Sequence, residues 1–284
     1  MRERNGGAID LAGRAAQLLG AELVEARPLA GGDLSPVVAL FLADGRKAVA
    51  KGGPAPQVEA GMLAALRAAG ARVPCVLAVC EELLVMEMLP DQGALRAPGW
   101  SELGTMLRGV HGAPSRSPGF DPARPFGWGE DYAFGPVLIP NAPLADWPSF
   151  WAERRLLLAS PFLPASLAHR IDALAARLPD HLPAQPAPAL LHGDLWTGNV
   201  LASGGRLSGV IDPASYYGDG EVDLAMLHLF GAPHPEFQAA YGPLAPGWQV
   251  RRSIYQLWPA LVHVRLFGSG YHGMVAGLLD RIGV

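Results

Sequence analysis

The chain has 284 residues, half of them apolar, and 22 Lys and Arg against 26 Asp and Glu leave a formal net charge of −4. That length accommodates one large domain or two lobes around a sizeable core. A slightly acidic balance with no basic run or stripe speaks against nucleic acid as the main partner, and no stretch nears the roughly 18 continuous apolar residues of a membrane span.

The first residues combine charge, glycine and an amphipathic pattern without the apolar core of a secretory signal, and a helix is expected over 8–19. "LAGGDLSP" (29–36) reads as a glycine-containing turn running into the β-prone Val37–Leu42. Asp44-Gly45 marks a hairpin, with Lys47–Lys51 as its return strand. Alternation then puts Lys47, Val49 and Lys51 on one face. Gln57–Ala69 has a helical apolar face made by Val58, Met62, Leu63 and Leu66, with Glu59 beside it. "VPCVLAVCEELLVMEMLP" supplies two more strands, and Pro90-Asp91 breaks the pattern. Residues 1–89 are thus expected to form a small lobe built on an antiparallel sheet, and residues 90–284 a larger, mainly helical lobe, an α+β bilobal arrangement. The two cysteines, Cys75 and Cys80, are too few for a disulfide framework or a zinc site, so free thiols and a cytoplasmic setting are expected.

In the second part, helical spacing covers 103–111, 147–158, 166–178, 223–230, 235–241 and 253–267. Between the first two lies the aromatic stretch "FDPARPFGWGEDYAFGPVLIPNAPLADW", and loops of that length are often functional.

The chemistry concentrates in two short runs, "LLHGDLWTGNV" and "GVIDPASYYG". Each carries an apolar segment to an abrupt stop on a carboxylate, Asp194 and Asp212, and Asn199 follows five residues after the first. This spacing fits the phosphotransferase pattern H-x-D-x-x-x-x-N followed by a metal-binding Asp. Asp194 suits a base for a hydroxyl, while Asn199 and Asp212 suffice as the protein's share of a Mg²⁺ site completed by phosphate oxygens and water. Lys51, at a strand end between the glycine turn and the helix bearing Glu59, fits the lysine that neutralises nucleotide phosphates, with Glu59 as its ion-pair partner. Gly31 and Gly32 are candidate phosphate contacts, although "AGGDLSP" lacks a full G-x-G-x-x-G. In a kinase-like fold the segment Glu87, Met88 and Leu89 would pair with adenine, with Met86 at the back of that pocket.

"LLHGDLWTGNV", "IDPASYYGDGEVDLAMLHLFG" and "YQLWPALVHVRLFGSGY" resemble the signatures of the fructosamine kinase (ketosamine 3-kinase) family, which shares the protein kinase-like fold with aminoglycoside phosphotransferases and choline kinases. "PLAGGDLSPV", "AVAKG", "VEAGML", "LLVMEML", "FGWGEDYAFG" and "DWPSFWAERRL" fall in the expected order over most of the chain. The resemblance implies transfer of the ATP γ-phosphate, with Mg²⁺, to the 3-hydroxyl of a ketosamine, free or as protein-bound glycated lysine. The phosphorylated product then releases its amine. It also implies Asp194 as base, Asn199 and Asp212 as metal ligands, Lys51 and Glu59 as the nucleotide ion pair, and Trp196 and His263 beside the sugar. His192 is expected to support the catalytic loop, and Asp223 to act as a cap or brace. Family members commonly carry Asp-Asn and then Gln-x-Asn in the aromatic stretch, where this chain has Tyr132 and Pro140 just before Asn141. Two alternatives stand beside this reading: a kinase for another alcohol, such as an aminoglycoside or choline, and a non-catalytic nucleotide-binding pseudokinase.

Overall fold

The computed structural model describes residues 2–29, 35–113 and 120–284. Helix α1 (Arg2–Leu18) precedes strands β1 (Leu23–Pro28), β2 (Val37–Leu42) and β3 (Lys47–Gly52), then helix α2 (Pro56–Ala68) and strands β4 (Val76–Val79) and β5 (Leu83–Glu87). The five strands make one antiparallel sheet in the order β1-β2-β3-β5-β4. The Asp44-Gly45 turn that joins β2 to β3 holds Gly45 at φ 84°, and the Asp44 Oδ1 accepts from the Arg46 N–H.

Strand alternation divides the sheet between two cores. Val38, Leu40, Leu42, Ala48, Ala50, Leu83 and Val85 meet Leu11, Ala12, Ala15 and Ala16 of α1. The other face presents Val49, Leu84 and Met86 to Leu63 and Leu66 of α2 and to the helical part of the chain. Lys51 shares this second face, so its side chain is turned inward and buried.

The second part opens with α3 (Ala97–Gly112), six residues earlier than expected because Pro98 occupies the first turn, where its missing N–H costs nothing. The long aromatic stretch is not structureless: it holds the hairpin β6 (Tyr132–Phe134) and β7 (Val137–Ile139). The helix expected over 147–158 breaks up into α4 (Trp147–Trp151), a π turn (Ala152–Leu156) and a 3₁₀ segment (Leu157–Phe162) containing Pro161. The widened turn accompanies a fully buried Arg155, whose guanidinium lies 4.2 Å from the Tyr216 ring centroid and 4.8 Å from that of Phe150. It donates to the Pro140 carbonyl at 2.8 Å and to Asn141 Oδ1 at 2.7 Å, tying the aromatic stretch to the helical core.

Helix α5 (Ala165–Arg177) follows, then β8 (Ala189–Leu190), the β9 (Val200–Ser203) and β10 (Arg206–Val210) hairpin, and β11 (Tyr217–Gly218), which pairs with β8. Helices α6 (Glu221–Leu227), α7 (Pro235–Tyr241), α8 (Trp248–Phe267) and α9 (His272–Ile282) complete the chain. Helix α6 stops three residues short of the expected end, α8 begins five residues before its own, and α9 is an element the sequence pattern did not suggest. Trp147, Phe150, Trp151, Ile171, Leu174, Tyr255, Leu257, Leu261 and Leu278 fill the main core. Among the described residues, no helix is long and apolar enough to cross a membrane.

Candidate active site

Lys51 ends on the inward face of β3, and Pro56 starts α2 so that Glu59 falls in its first turn. The Lys51 Nζ donates to both Glu59 oxygens at 2.8 Å and to Asp212 Oδ1 at 2.9 Å. Burial works against the Lys51 ammonium, but the charges of Glu59 and Asp212 outweigh it and hold the group above the usual lysine range. Asp212 lies two residues beyond β10 and is the one non-glycine residue with positive φ, 56°, among the described residues. Side chains pay for this left-handed conformation, and such strain clusters at working sites.

Asp194 sits in the loop after β8. Gly193 has φ 83°, and a Cβ there would lie 2.0 Å from the Ala214 carbonyl oxygen. No other residue type fits between these backbones. The buried Asp223 carboxylate accepts the His192 N–H at 2.7 Å and the Gly193 N–H at 2.9 Å, and His111 Nε2 lies 3.2 Å from it. Burial alone would raise this carboxyl; the His111 contact and the Gly193 N–H hold it below the ordinary aspartate value. His192 is itself buried, its Nδ1 accepts the Asp194 N–H, and burial pushes it below the usual histidine value. It therefore supports the loop as a neutral ring. Gly193→Ala is expected to lower stability by about 2 kcal/mol or more; a denaturant midpoint equal to wild type would contradict the close packing seen here.

A 3₁₀ turn over Thr197–Asn199 brings Asn199 back under Asp194, where its Nδ2 donates to the Asp194 carbonyl at 2.8 Å and to Asp194 Oδ2 at 3.0 Å. The Asn199 carbonyl accepts the Ile211 N–H at 3.0 Å, which fastens this turn to the segment carrying Asp212. Burial pushes the Asp194 carboxyl up to about 7; the Asn199 amide opposes the rise, and the nearby Asp212 and Asp223 charges add to it.

Lys51, Glu59, Asp194, Trp196, Asn199, Asp212 and His263 all line one cavity of about 440 Å³. Asp223 lies behind it. The cavity's outer wall is aromatic. Trp196, 37% exposed, meets Phe230 edge-on, and the His263 ring lies 4.9–5.5 Å from Phe230, Phe267 and Tyr271. His263 Nδ1 is 2.7 Å from the Pro259 carbonyl, one turn back in α8. Tyr132, Phe134 and Trp258 also line the cavity and were not singled out as site residues from sequence. The i, i+4 pairing of His263 with Phe267 was the available signal for the α8 wall.

Met86, Glu87, Met88 and Leu89 do not line this cavity. Met86 is packed in the core, paired with Val49 of β3. The Glu87 N–H goes to the Cys75 carbonyl, and its carboxylate accepts the Cys75 N–H. Gly31 and Gly32 lie outside the described residues.

The donor set suits Mg²⁺ held jointly with a nucleotide. No cluster of three or more His, Cys, Asp or Glu that could cage a metal exists among the described residues. The available ligands are hard oxygens: the Asp212 carboxylate and the Asn199 Oδ1, whose amide nitrogen is already committed to Asp194.

A small antiparallel sheet bearing a Lys–Glu pair, set on a mainly helical part bearing Asp-x-x-x-x-Asn and a further Asp, defines a bilobal kinase-like fold. The same fold is found in the aminoglycoside phosphotransferase APH(4)-Ia, with a TM-score of 0.68 at 16% identity, covering 97% of this chain and 99% of that one. The chain belongs to the fructosamine kinase family, whose model matches residues 46–283. It is 36% identical over 269 residues to a Thermus thermophilus protein named "Probable ketoamine kinase", covering 87% of this chain and 90% of that one. A Synechocystis protein of the same name is 37% identical over 212 residues, 70% of this chain; the match spans 66% of that relative's length. A crystal structure from Thermobifida fusca titled "putative fructosamine-3-kinase" superposes with a TM-score of 0.82 at 30% identity, covering 96% of this chain and 98% of that one.

Proposed function

We propose that this protein is an ATP-dependent kinase that phosphorylates the 3-hydroxyl of a ketosamine, with Mg²⁺ as cofactor. The observation that carries this reading is the convergence of Lys51–Glu59, Asp194–Asn199 and Asp212 on a single cavity in a chain of the fructosamine kinase family. Residues 1–89 hold the nucleotide in this reading, and residues 90–284 supply the base, the metal ligands and the acceptor wall.

Lys51, fixed by two carboxylates, presents a cation to the phosphates. Asn199 and Asp212 would hold Mg²⁺, which would offset phosphate charge. Asp194 Oδ1 orients the acceptor hydroxyl and takes its proton as the new O–P bond forms and the bond to the leaving phosphate oxygen breaks. Little covalent help is needed for this transfer, so positioning and electrostatics supply most of the rate. The aromatic wall from Trp196 to His263 offers flat apolar faces to the sugar and its amine substituent. The acceptor is a ketosamine, free or on a glycated lysine side chain. Free Cys75 and Cys80 support a reducing, cytoplasmic setting.

The test is incubation with ATP, Mg²⁺ and a panel of glycated amines, aminoglycosides and choline, with products read by mass. Phosphorylated ketosamine is the expected product; ATP use only with a non-glycated alcohol would overturn the substrate assignment. In the same assay Lys51→Ala is expected to raise the KM for ATP, or lower kcat/KM, by about a hundredfold. Unchanged ATP kinetics would remove Lys51 from the nucleotide site.

A further inference from the structure

Glu59 has a second partner besides the lysine. Tyr132, first residue of β6 and 73 positions further along the chain, donates its hydroxyl to Glu59 Oε2 at 2.9 Å. That is one of the two oxygens gripping the Lys51 Nζ. Both Tyr132 and Glu59 are buried, at 7% and 4% exposure. Burial, together with the Glu59 charge, pushes the Tyr132 phenol well above its usual value, so it stays a donor at any physiological pH. Its ring is fixed edge-on against Phe134, 6.1 Å between centroids, and packs in the same core cluster as Ile139 and Met62. Met62 lies one turn beyond Glu59 on α2, and its sulfur accepts the Ser215 N–H. Helix α2 is therefore pinned across the cleft at two successive turns, and the pin at Glu59 comes from a hairpin whose Ala133, Phe134 and Gly135 also line the cavity.

A glutamate held only by a lysine can follow that lysine through several side-chain rotamers. A third group on a rigid hairpin removes this freedom before any nucleotide arrives, which is how an ordering cost is shifted away from binding. We infer that Tyr132 is a positioning residue, its hydroxyl holding Glu59, and through Glu59 the Lys51 ammonium, in the arrangement that receives a nucleoside triphosphate. The β6–β7 hairpin is thereby the clamp of the Lys51–Glu59 ion pair. This role rests on the kinase reading above.

The experiment measures ADP affinity by calorimetry, and steady-state KM for ATP and for a ketosamine acceptor, in wild type, Tyr132→Phe, Glu59→Gln and the double variant. Tyr132→Phe keeps the ring and loses only the hydroxyl. Its melting temperature is expected within about 3 °C of wild type, confirming the fold. Its ADP affinity is expected to fall about tenfold, as for loss of a hydrogen bond to a charged group, with the acceptor KM within about twofold. In the Glu59→Gln background, the same change is expected to alter ADP affinity by less than about twofold, because the group it acts through is already gone. A purely packing role would not produce that dependence. Wild-type ADP affinity in Tyr132→Phe, or an undiminished effect in the Glu59→Gln background, would overturn the role while leaving the kinase reading intact. Failure of the wild-type protein to bind ADP at all would sink the kinase reading and the Tyr132 role with it.

Discussion

Asp194→Asn is expected to reduce kcat by about a thousandfold or more while ADP binding stays within a few fold of wild type. The split follows from what Asp194 touches. Its Oδ2 and its carbonyl accept from the Asn199 amide, and neither contacts Lys51 or Glu59. Asparagine in its place keeps the side-chain shape and an oxygen for Asn199, and loses the capacity to take a proton. Single-turnover phosphate transfer and ADP calorimetry on the same preparation separate the two effects. A kcat within tenfold of wild type would show that the acceptor hydroxyl needs no base here, and that the site works by alignment alone.

The largest effect on stability is expected at Asp223. Its carboxylate is fully buried and receives two backbone N–H groups from the loop at 192–193 and a histidine from α3. Asp223→Ala leaves the His192 and Gly193 N–H groups without partners in a place water does not reach. The expected cost is about 3–5 kcal/mol, because unpaired buried donors carry their full desolvation penalty. A protein of this size should lose about 10 °C or more in melting temperature. Turnover should fall as well, since Gly193 and Asp194 are adjacent. A thermal melt followed by circular dichroism reads the first effect directly, and a melting temperature unchanged by the substitution would mean that the loop is held by something else.

The parts of the site legible in the sequence are those whose geometry is local. Lys51 could be placed because the Asp44-Gly45 turn sets the β2–β3 register and alternation does the rest. Glu59 could be placed because the apolar face of Val58, Met62, Leu63 and Leu66 sets the helix and puts Glu59 beside it. Asp194 and Asn199 sit within one tight loop, so their spacing already encodes their contact. Asp223, read as a cap or brace, is a brace: α6 begins at Glu221, and the carboxylate accepts from the loop at 192–193.

The illegible parts depend on distant neighbours. Nothing near Tyr132 signals that its hydroxyl meets Glu59, since the contact exists only when the hairpin and α2 face each other. The break-up of the 147–158 helix follows from the burial of Arg155 among rings from three segments, which no local pattern reveals. Helix α9 was obscured by Gly273 and Gly277, poor helix formers that tertiary packing of Val275, Leu278 and Leu279 overrides. The pairing of the connector after β5 with adenine rests on fold analogy alone; there the Glu87 N–H bonds the Cys75 carbonyl.

The two carboxylates on Lys51 also differ in how early the chain can bring them to it. Glu59 is 8 residues away and Asp212 is 161. Closing the longer loop costs about 2.7 kcal/mol more in chain entropy than closing the shorter one. The near partner can therefore form within a fragment of the sheet and α2, whereas the far one joins only after most of the polypeptide has collapsed. The contact that ties Lys51 to the Asp212 segment, and with it the complete cavity, is therefore assembled late in folding.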